Sequence, residues 1–303
     1  MSRWVSLVTS SLLLARARPR PRPLNTMNAS KANNNIQNNI ITQKKHLFAE
    51  KRSMMTSSGS GSSKDLSNIP REIPPADRLA IEERQRKAFE FFAQTLQIYG
   101  VEELIFCFNG GKDCTVLLDL LMRFLRQESI SSGDIPMLYI KSGDSFPEID
   151  HFVDRCVRNY RVQLVEYEGS LKEALTHMSA DMPRIRAVFV GSRNTDPYCQ
   201  HLAPMQPTDN DWPPMMRLNP LLEWSYHDVW HYIHLNSVPY CSLYDRGYTS
   251  IGNRSNTIPN PHLRRPESEC DCACACSCDP GGYRPAWELE DPTLERAGRL
   301  PRK

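Results

Sequence analysis

The chain lacks any long run of apolar residues. Its longest uninterrupted apolar stretches contain only a few residues, whereas a membrane-spanning helix needs about 20, so we expect no membrane partner. An internal repeat and a sustained heptad are also absent from the sequence, which excludes solenoid and coiled-coil classes. With 40% hydrophobic and 24% charged residues in a chain of 303, the composition is typical of a globular protein with a sizeable core.

Acidic residues are missing from residues 1–49, which contain eight Lys and Arg residues. The rest of the chain has 29 basic and 35 acidic residues and therefore a net charge of −6. Nonspecific nucleic-acid binding needs a net basic surface. We therefore expect no nucleic-acid partner for the body of the protein.

The acid-free segment has the Arg- and Ser-containing composition of an organelle transit peptide, with an alternating Arg-Pro run at 18–23. A secretory signal and an unstructured tail without a targeting role are the alternatives. We expect a mitochondrial location for the full-length chain. A form that starts at Met27, Met54 or Met55 would lack the Arg-rich part and would be cytoplasmic.

Low-complexity composition continues beyond the Arg-rich part. Residues 28–67 are rich in Asn and then in Ser and Gly, and such segments bury too little apolar surface to become ordered. The sequence therefore predicts a targeting and low-complexity tail at 1–69 and one catalytic domain at 70–303.

The ten cysteines do not suggest a disulfide framework. Five are scattered through segments with strand or helix patterns, where free thiols pack as small hydrophobic groups. The other five alternate as C-x-C over 270–278, within an insert at 267–282. Neighbouring thiolates can bridge soft metal ions, but five ligands make an incomplete cluster, and a flexible insert with reactive thiols is the alternative.

Strand-like and helix-like patterns alternate four times between residues 76 and 191. The strand-like apolar runs lie at 103–108, 137–141, 162–167 and 186–191. This order predicts an α/β fold with an open, mostly parallel sheet flanked by helices. After residue 191, Pro-rich loops surround one clear helix at 225–235, with Ser225 as N-cap and Asp228 three residues later. We therefore expect a loop-rich C-terminal extension.

The segment NGGKD, residues 109–113, occupies the first strand-to-helix turn. Paired glycines allow backbone N–H groups to approach phosphate oxygens, and the N-terminus of the following helix favours negative charge. Lys112 can reach a phosphate, and Asp113 can hold a cation or cap the helix. The spacing matches neither the P-loop nor the dinucleotide fingerprint, and a tight turn without a ligand is the alternative.

NGGKD after a buried strand resembles the pyrophosphate-binding loop of the adenine-nucleotide alpha-hydrolase group, in particular of PAPS reductase-like proteins. Further stretches are similar, in order, to the FAD synthase family of eukaryotic FMN adenylyltransferases: SGDSFPEID, FVGSRNTDP, TDNDWPPMMRLNPLLEW, LYDRGYTSIG, TIPNPHL and YRPAWELEDPTLERAGR. The resemblance covers about residues 76–299. It implies a nucleotidyltransferase that moves AMP from ATP to the phosphate of FMN with Mg²⁺, giving FAD and pyrophosphate in the last step of FAD biosynthesis. Apoflavoproteins are then candidate recipients of the product.

The resemblance also implies roles for individual residues. Those that bind the nucleotide lie in or beside the first strand-to-helix turn and at the end of the second strand: Cys107, Asn109, Gly110, Gly111, Lys112, Asp113 and Ile140. Asp113 is the implied metal ligand, and Ile140 would meet adenine through its backbone. The implied catalytic residues are polar groups around the phosphates: Asn109, Asp113, Asp196, Arg296 and Arg299.

A flavin pocket is implied by Asp209, Trp212 and Arg217, which would offer an aromatic face and polar groups to the ring system. Arg193 would lie over the reacting phosphates or the flavin. The pair Arg296 and Arg299 would hold the FMN phosphate.

These residues have plainer interpretations as well. Arg193 and Asp196 could pair with each other, and Arg296 and Arg299 could be surface charges on an acidic terminal helix. For the remaining aromatic and histidine residues we expect structural or surface roles rather than ligand or metal binding: Trp224, Trp230, His227, His231 and His234. A PAPS reductase-like enzyme and a non-catalytic metal- or redox-sensing binder are the alternative functions.

Overall fold

The computed structural model describes residues 72–265 and 282–301. The tail predicted at 1–69 lies outside these residues, as does the Cys-rich insert at 267–282 apart from Gly282. In the described ranges, no helix combines the length and the apolar character needed to cross a bilayer.

Helices and strands alternate as predicted through the first half of the described chain. The helices α1 to α5 span Pro75–Ile98, Lys112–Gln127, Pro147–Tyr160, Leu171–Asp181 and Tyr226–Asn236. The strands β1 to β6 span Leu104–Phe108, Met137–Lys141, Leu164–Glu168, Ala187–Phe189, Met205–Pro207 and Met216–Leu218. Short 3₁₀ turns follow α5, among them Ser242–Arg246 and Pro292–Leu294.

The six strands form one sheet in the order β3-β2-β1-β4-β6-β5. Neighbouring strands are parallel except β5, which runs antiparallel to β6 at one edge. The prediction of an open, mostly parallel sheet flanked by helices is confirmed. The loop-rich extension expected after residue 191 contains, besides its helix, two short strands that the sequence does not predict, β5 and β6, which extend the sheet beyond β4.

β1 lies at the centre of the sheet and is buried on both faces. Phe106 and Phe108 belong to the large core with α1, α2 and α3, whereas Ile105 faces a smaller apolar cluster that includes Leu175 and Met178 of α4. Burial on both faces explains why the strand is an uninterrupted apolar run. Because parallel strands end at the same edge of the sheet, the turns that follow β1 and β4 meet there.

α5 begins with the capping box that the sequence predicts. Ser225 Oγ accepts a hydrogen bond from Asp228 N (3.0 Å), and the Asp228 carboxylate accepts one from Ser225 N (2.8 Å). The helix then buries Trp230, which is 1% exposed, while Trp224 just before it is 3% exposed. Both tryptophans are core residues, as the plainer interpretation holds.

Candidate active site

The NGGKD turn connects β1 to the N-terminus of α2. Gly110 has φ +72°, a conformation that favours glycine, and a Cβ there would lie 3.0 Å from the Ile149 side chain. Gly111 N donates to Asn109 Oδ1 (2.9 Å). The turn is therefore held in a shape that directs the first amides of α2 towards the space above the sheet.

Two buried cations, Lys112 and Arg193, face three carboxylates in this region. Lys112 is 2% exposed and Arg193 1% exposed. Lys112 Nζ donates to Asp113 Oδ2 (3.0 Å) and to Glu295. Arg193 Nη2 donates to both oxygens of Glu295 (2.8 and 2.7 Å) and to Asp196 Oδ1 (3.3 Å). Because an unpaired buried charge is costly, the contacts with these carboxylates offset the cost of burying the two cations.

The same network shifts the pKa values of two carboxyls in opposite directions. Burial alone would raise the pKa of Asp113, but the positive charges of Lys112 and Arg193 outweigh it and lower that pKa. Burial raises the pKa of Asp196 despite its contact with Arg193. Asp113 Oδ1 lies 2.9 Å from Arg193 Nε, yet the two atoms are not aligned for a hydrogen bond. This oxygen therefore keeps lone pairs free of a protein donor.

A polar cavity of about 370 Å³ opens above this network. Four segments far apart in the sequence reach it, at 109–114, 190–196, 244–251 and 295–299. The lining includes most of the predicted phosphate-binding and catalytic residues: Asn109, Gly111, Lys112, Asp113, Asp196, Arg296 and Arg299. The structure thus brings the two arginines near the C-terminus to the NGGKD turn.

The segment that carries these arginines is not the acidic helix of the plainer interpretation. After the 3₁₀ turn Pro292–Leu294 it continues as a hydrogen-bonded turn over 295–298, and Arg299 then forms an antiparallel bridge with Thr257. Arg299 Nη1 lies 3.3 Å from Ser250 Oγ. A Cβ on Gly252 would lie 2.1 Å from the Arg299 guanidinium, so glycine is required there for the side chain to reach the cavity.

A second, largely apolar cavity of about 200 Å³ lies beside the first, and Val190 lines both. It contains four of the predicted ligand-binding residues: Cys107, Asp209, Trp212 and Arg217. Its walls are apolar side chains from α4, β4 and the loop before β6: Leu171, Leu175, Val188 and Met215. A flat, mostly apolar ring with polar edges suits this cavity.

Three predicted site residues line neither of these two cavities. Gly110 is buried and shapes the turn, and Ile140 is half-buried beside the smaller apolar cluster. Arg193 lies beneath the polar cavity and contacts Asp196, as in its plainer interpretation, although its Nη1 has no hydrogen-bond partner among the described residues.

Among the residues of the polar cavity that were not predicted, two contact Lys112. Tyr244 accepts a hydrogen bond from Lys112 N (2.8 Å), and Glu295 binds both buried cations. The available signal was their position inside the stretches LYDRGYTSIG and YRPAWELEDPTLERAGR, and Glu295 also precedes Arg296, which was singled out.

The chain is similar to known proteins along most of its length. A family model described as the phosphoadenosine phosphosulfate reductase domain matches residues 103–259. The chain is 36% identical over 240 residues to a probable FAD synthase of Schizosaccharomyces pombe, with 77% of this chain and 86% of that protein covered. The chain belongs to the FAD synthase family. The resemblance that the motifs predict is thereby confirmed.

Two further members of the FAD synthase family place this chain among its relatives. A probable FAD synthase of Caenorhabditis briggsae is 36% identical over 230 residues, which cover 76% of this chain but only 42% of that protein. The crystal structure of Candida glabrata FMN adenylyltransferase in complex with ATP has a TM-score of 0.67 and 28% identity, and covers 78% of this chain and 92% of that one. The chain therefore shares the fold of an FMN adenylyltransferase of known structure.

Proposed function

We propose that this chain transfers AMP from ATP to the phosphate of FMN, giving FAD and pyrophosphate in the last step of FAD biosynthesis. The observation that carries the proposal is the junction of a polar cavity, built from NGGKD and two arginines, with an apolar cavity that contains Trp212. In support, Candida glabrata FMN adenylyltransferase has been solved with FMN and AMPCPP, and with FAD and pyrophosphate.

The chemistry demands positioning rather than a protein nucleophile. An oxygen of the FMN phosphate attacks the α-phosphorus of ATP, and the bond from that phosphorus to the bridging oxygen of the β-phosphate breaks, so that pyrophosphate leaves. The nucleophile is already an oxyanion, and catalysis consists of aligning two anions and neutralising their charge. Lys112 and the α2 N-terminus serve the ATP phosphates, and Arg296 and Arg299 serve the FMN phosphate.

The flavin ring would enter the apolar cavity. Trp212 offers an aromatic face, while Asp209 and Arg217 offer polar groups to the ring edge. Because Val190 lines both cavities, an FMN molecule with its ring against Trp212 can extend its phosphate towards Arg296 and Arg299.

The residues at the polar cavity suit Mg²⁺, which prefers carboxylate and phosphate oxygens. Asp113 Oδ1 is buried without an aligned hydrogen-bond donor, and Asp196 lines the same cavity. In the described part of the chain, no group of three or more His, Cys, Asp or Glu residues is arranged to hold a metal on its own. Asp113 and Asp196 would hold the ion together with substrate phosphates, and the bound ion would neutralise phosphate charge.

We also propose a mitochondrial location for the full-length chain and a cytoplasmic one for forms that start at the internal methionines. The support is the Arg-rich, acid-free composition of residues 1–49. Apoflavoproteins in either compartment would receive the product.

The test uses the purified full chain with FMN, ATP and Mg²⁺, and chromatography that separates the flavins. We expect an ATP-dependent FAD peak with an equal amount of pyrophosphate. Arg299→Ala should lower kcat/KM for FMN about 10–100-fold, the loss of one or two charge-assisted hydrogen bonds. Arg126→Ala, on the exposed end of α2, is the matched control and should leave it unchanged. Folded protein that binds ATP but forms no FAD would refute the proposal.

A further inference from the structure

Tyr244 connects the C-terminal half of the chain to the phosphate-binding turn. It lies on the 3₁₀ turn Ser242–Arg246 and is 2% exposed. Its ring makes an edge contact with Trp230 at 5.2 Å between centroids, which fixes its direction. The hydroxyl oxygen accepts a hydrogen bond from the Lys112 backbone N–H at 2.8 Å.

The hydrogen of this hydroxyl is unaccounted for. A phenol has one O–H donor, and its oxygen already accepts from Lys112 N. No acceptor for the hydrogen is present in the part of the chain that the structure describes. Burial, and the nearby negative charge of Asp113, raise the pKa of Tyr244 well above its ordinary value. The group therefore keeps its proton at neutral pH and remains a donor.

The open side of the hydroxyl is the polar cavity. Tyr244 lines this cavity together with Asn109 and Gly111, and its oxygen lies 3.7 Å from where a Cβ on Gly111 would be. A donor at this point faces the space assigned to the substrate phosphates. The hydroxyl oxygen accepts a hydrogen bond from the first amide of α2, where the helix dipole is positive. This bond polarises the hydroxyl and strengthens the hydrogen bond that it donates to an acceptor in the cavity.

We propose that Tyr244 donates a hydrogen bond to a phosphoryl oxygen of the substrates and is a further binding and catalytic residue of this site. The proposal rests on the proposed function, since it assumes that phosphates occupy the polar cavity. ATP and FMN both supply phosphoryl oxygens, and the kinetics below distinguish them.

A purely structural role for the hydroxyl predicts different behaviour. Tyr226 illustrates such a role, because its hydroxyl donates to Ala286 O (2.6 Å) inside the protein. Tyr244 instead lines the polar cavity, as does Lys112, to which its hydroxyl is bonded. Loss of the hydroxyl should therefore change substrate kinetics more than stability.

The test is Tyr244→Phe in the full chain, which keeps the ring and removes the hydroxyl. We expect kcat/KM to fall about 10–100-fold, as for one hydrogen bond to a charged group. A raised KM for ATP alone, or for FMN alone, identifies which phosphate accepts the bond. Tyr240→Phe is the matched control: its hydroxyl bonds Asp245 (2.9 Å) outside the cavity, and its kinetics should stay within twofold of wild type.

Wild-type FAD formation under the same conditions tests the proposed function separately, because its absence would end both proposals before any variant is compared. If wild type is active and Tyr244→Phe keeps kcat/KM within twofold, the role of Tyr244 is refuted. Should that variant fail to fold, 3-fluorotyrosine placed only at position 244 provides a second measurement. Its ¹⁹F resonance should shift when pyrophosphate binds, and an unchanged resonance at saturation would overturn the proposal.

Discussion

Glu295→Gln tests whether the buried ion network stabilises the fold. The Glu295 carboxylate contacts both Lys112 and Arg193. Among the described residues, Asp113 does so as well, but it follows Lys112 directly in the sequence. Glutamine has nearly the same shape but no charge, and its amide group places N–H donors opposite two cations. We expect the free energy of unfolding to fall.

The size of the effect follows from the contacts. Arg193 Nη2 is 2.7 Å from one Glu295 oxygen and 2.8 Å from the other, and glutamine can keep only one such acceptor. A hydrogen bond to a charged group contributes about 1.5–3 kcal/mol. Breaking an isolated buried pair costs about 3–5 kcal/mol, but here Asp113 and Asp196 continue to neutralise the cations. We therefore expect a loss of about 2 kcal/mol.

Chemical unfolding in urea measures this loss directly. For a domain of this size, about 2 kcal/mol also corresponds to a Tm lower by roughly 4–8 °C. Glu290→Gln is the matched control, since Glu290 is exposed in the same segment, and such a change should stay within about 0.5 kcal/mol. Equal unfolding free energies for both variants would refute the network as a source of stability.

Three other substitutions separate stability from function. Burial raises the pKa of Asp196, so ionisation of its carboxyl destabilises the folded state as the pH rises above the pKa of the unfolded chain. Asp196→Asn should therefore keep or raise the Tm at pH 7. FAD formation by this variant should fall at least about tenfold. Trp212→Ala should raise KM for FMN about tenfold, as expected for the loss of 1–2 kcal/mol of stacking, and leave KM for ATP unchanged. Asp119 accepts hydrogen bonds from Tyr160 (3.0 Å) and Tyr232 (2.7 Å) in the core. Asp119→Ala leaves both hydroxyls without this acceptor and should therefore cost about 2–4 kcal/mol, with both KM values intact.

Each of these has a clear contrary result. A lower Tm for Asp196→Asn at pH 7 would mean that its contact with Arg193 outweighs its burial. Equal KM increases for both substrates in Trp212→Ala would remove that residue from a flavin-specific pocket, and Trp212→Phe, which keeps an aromatic face, should be milder. A changed KM in folded Asp119→Ala would show that the core network reaches the site.

Most of the α/β architecture can be predicted from the sequence because its elements have strong local signals. The central strand is an unbroken apolar run, and Pro147 and Ser225 mark the starts of α3 and α5. β5 and β6 are missed because their sequences, MQP and MRL, lie in no apolar run of the kind that reveals the equally short β4, and prolines interrupt the region. Each is defined by its neighbour in the sheet rather than by its own sequence.

The candidate site can also be predicted from the sequence only in part. NGGKD has a mechanism that can be inferred from its residue types, so the turn is found without a structure. Glu295 and Tyr244 carry no such local signal. In the sequence, Glu295 looks the same as an exposed surface glutamate, and Tyr244 looks the same as a tyrosine that only packs in the core. Their importance arises only when contacts over long sequence separations bring them to Lys112.

The contact between Lys112 and Glu295 spans 183 positions of the chain, and that distance affects how the protein acquires its activity. Contacts so distant in sequence form late, because the chain must first close a long loop. The sheet can thus assemble around β1 before the polar cavity has its full set of charges. The C-terminal segment that carries Glu295 also contributes Ala286 and Leu289 to the large core, so its docking would complete the core and the site together. Recovery of catalysis, rather than of secondary structure, would therefore mark the end of folding.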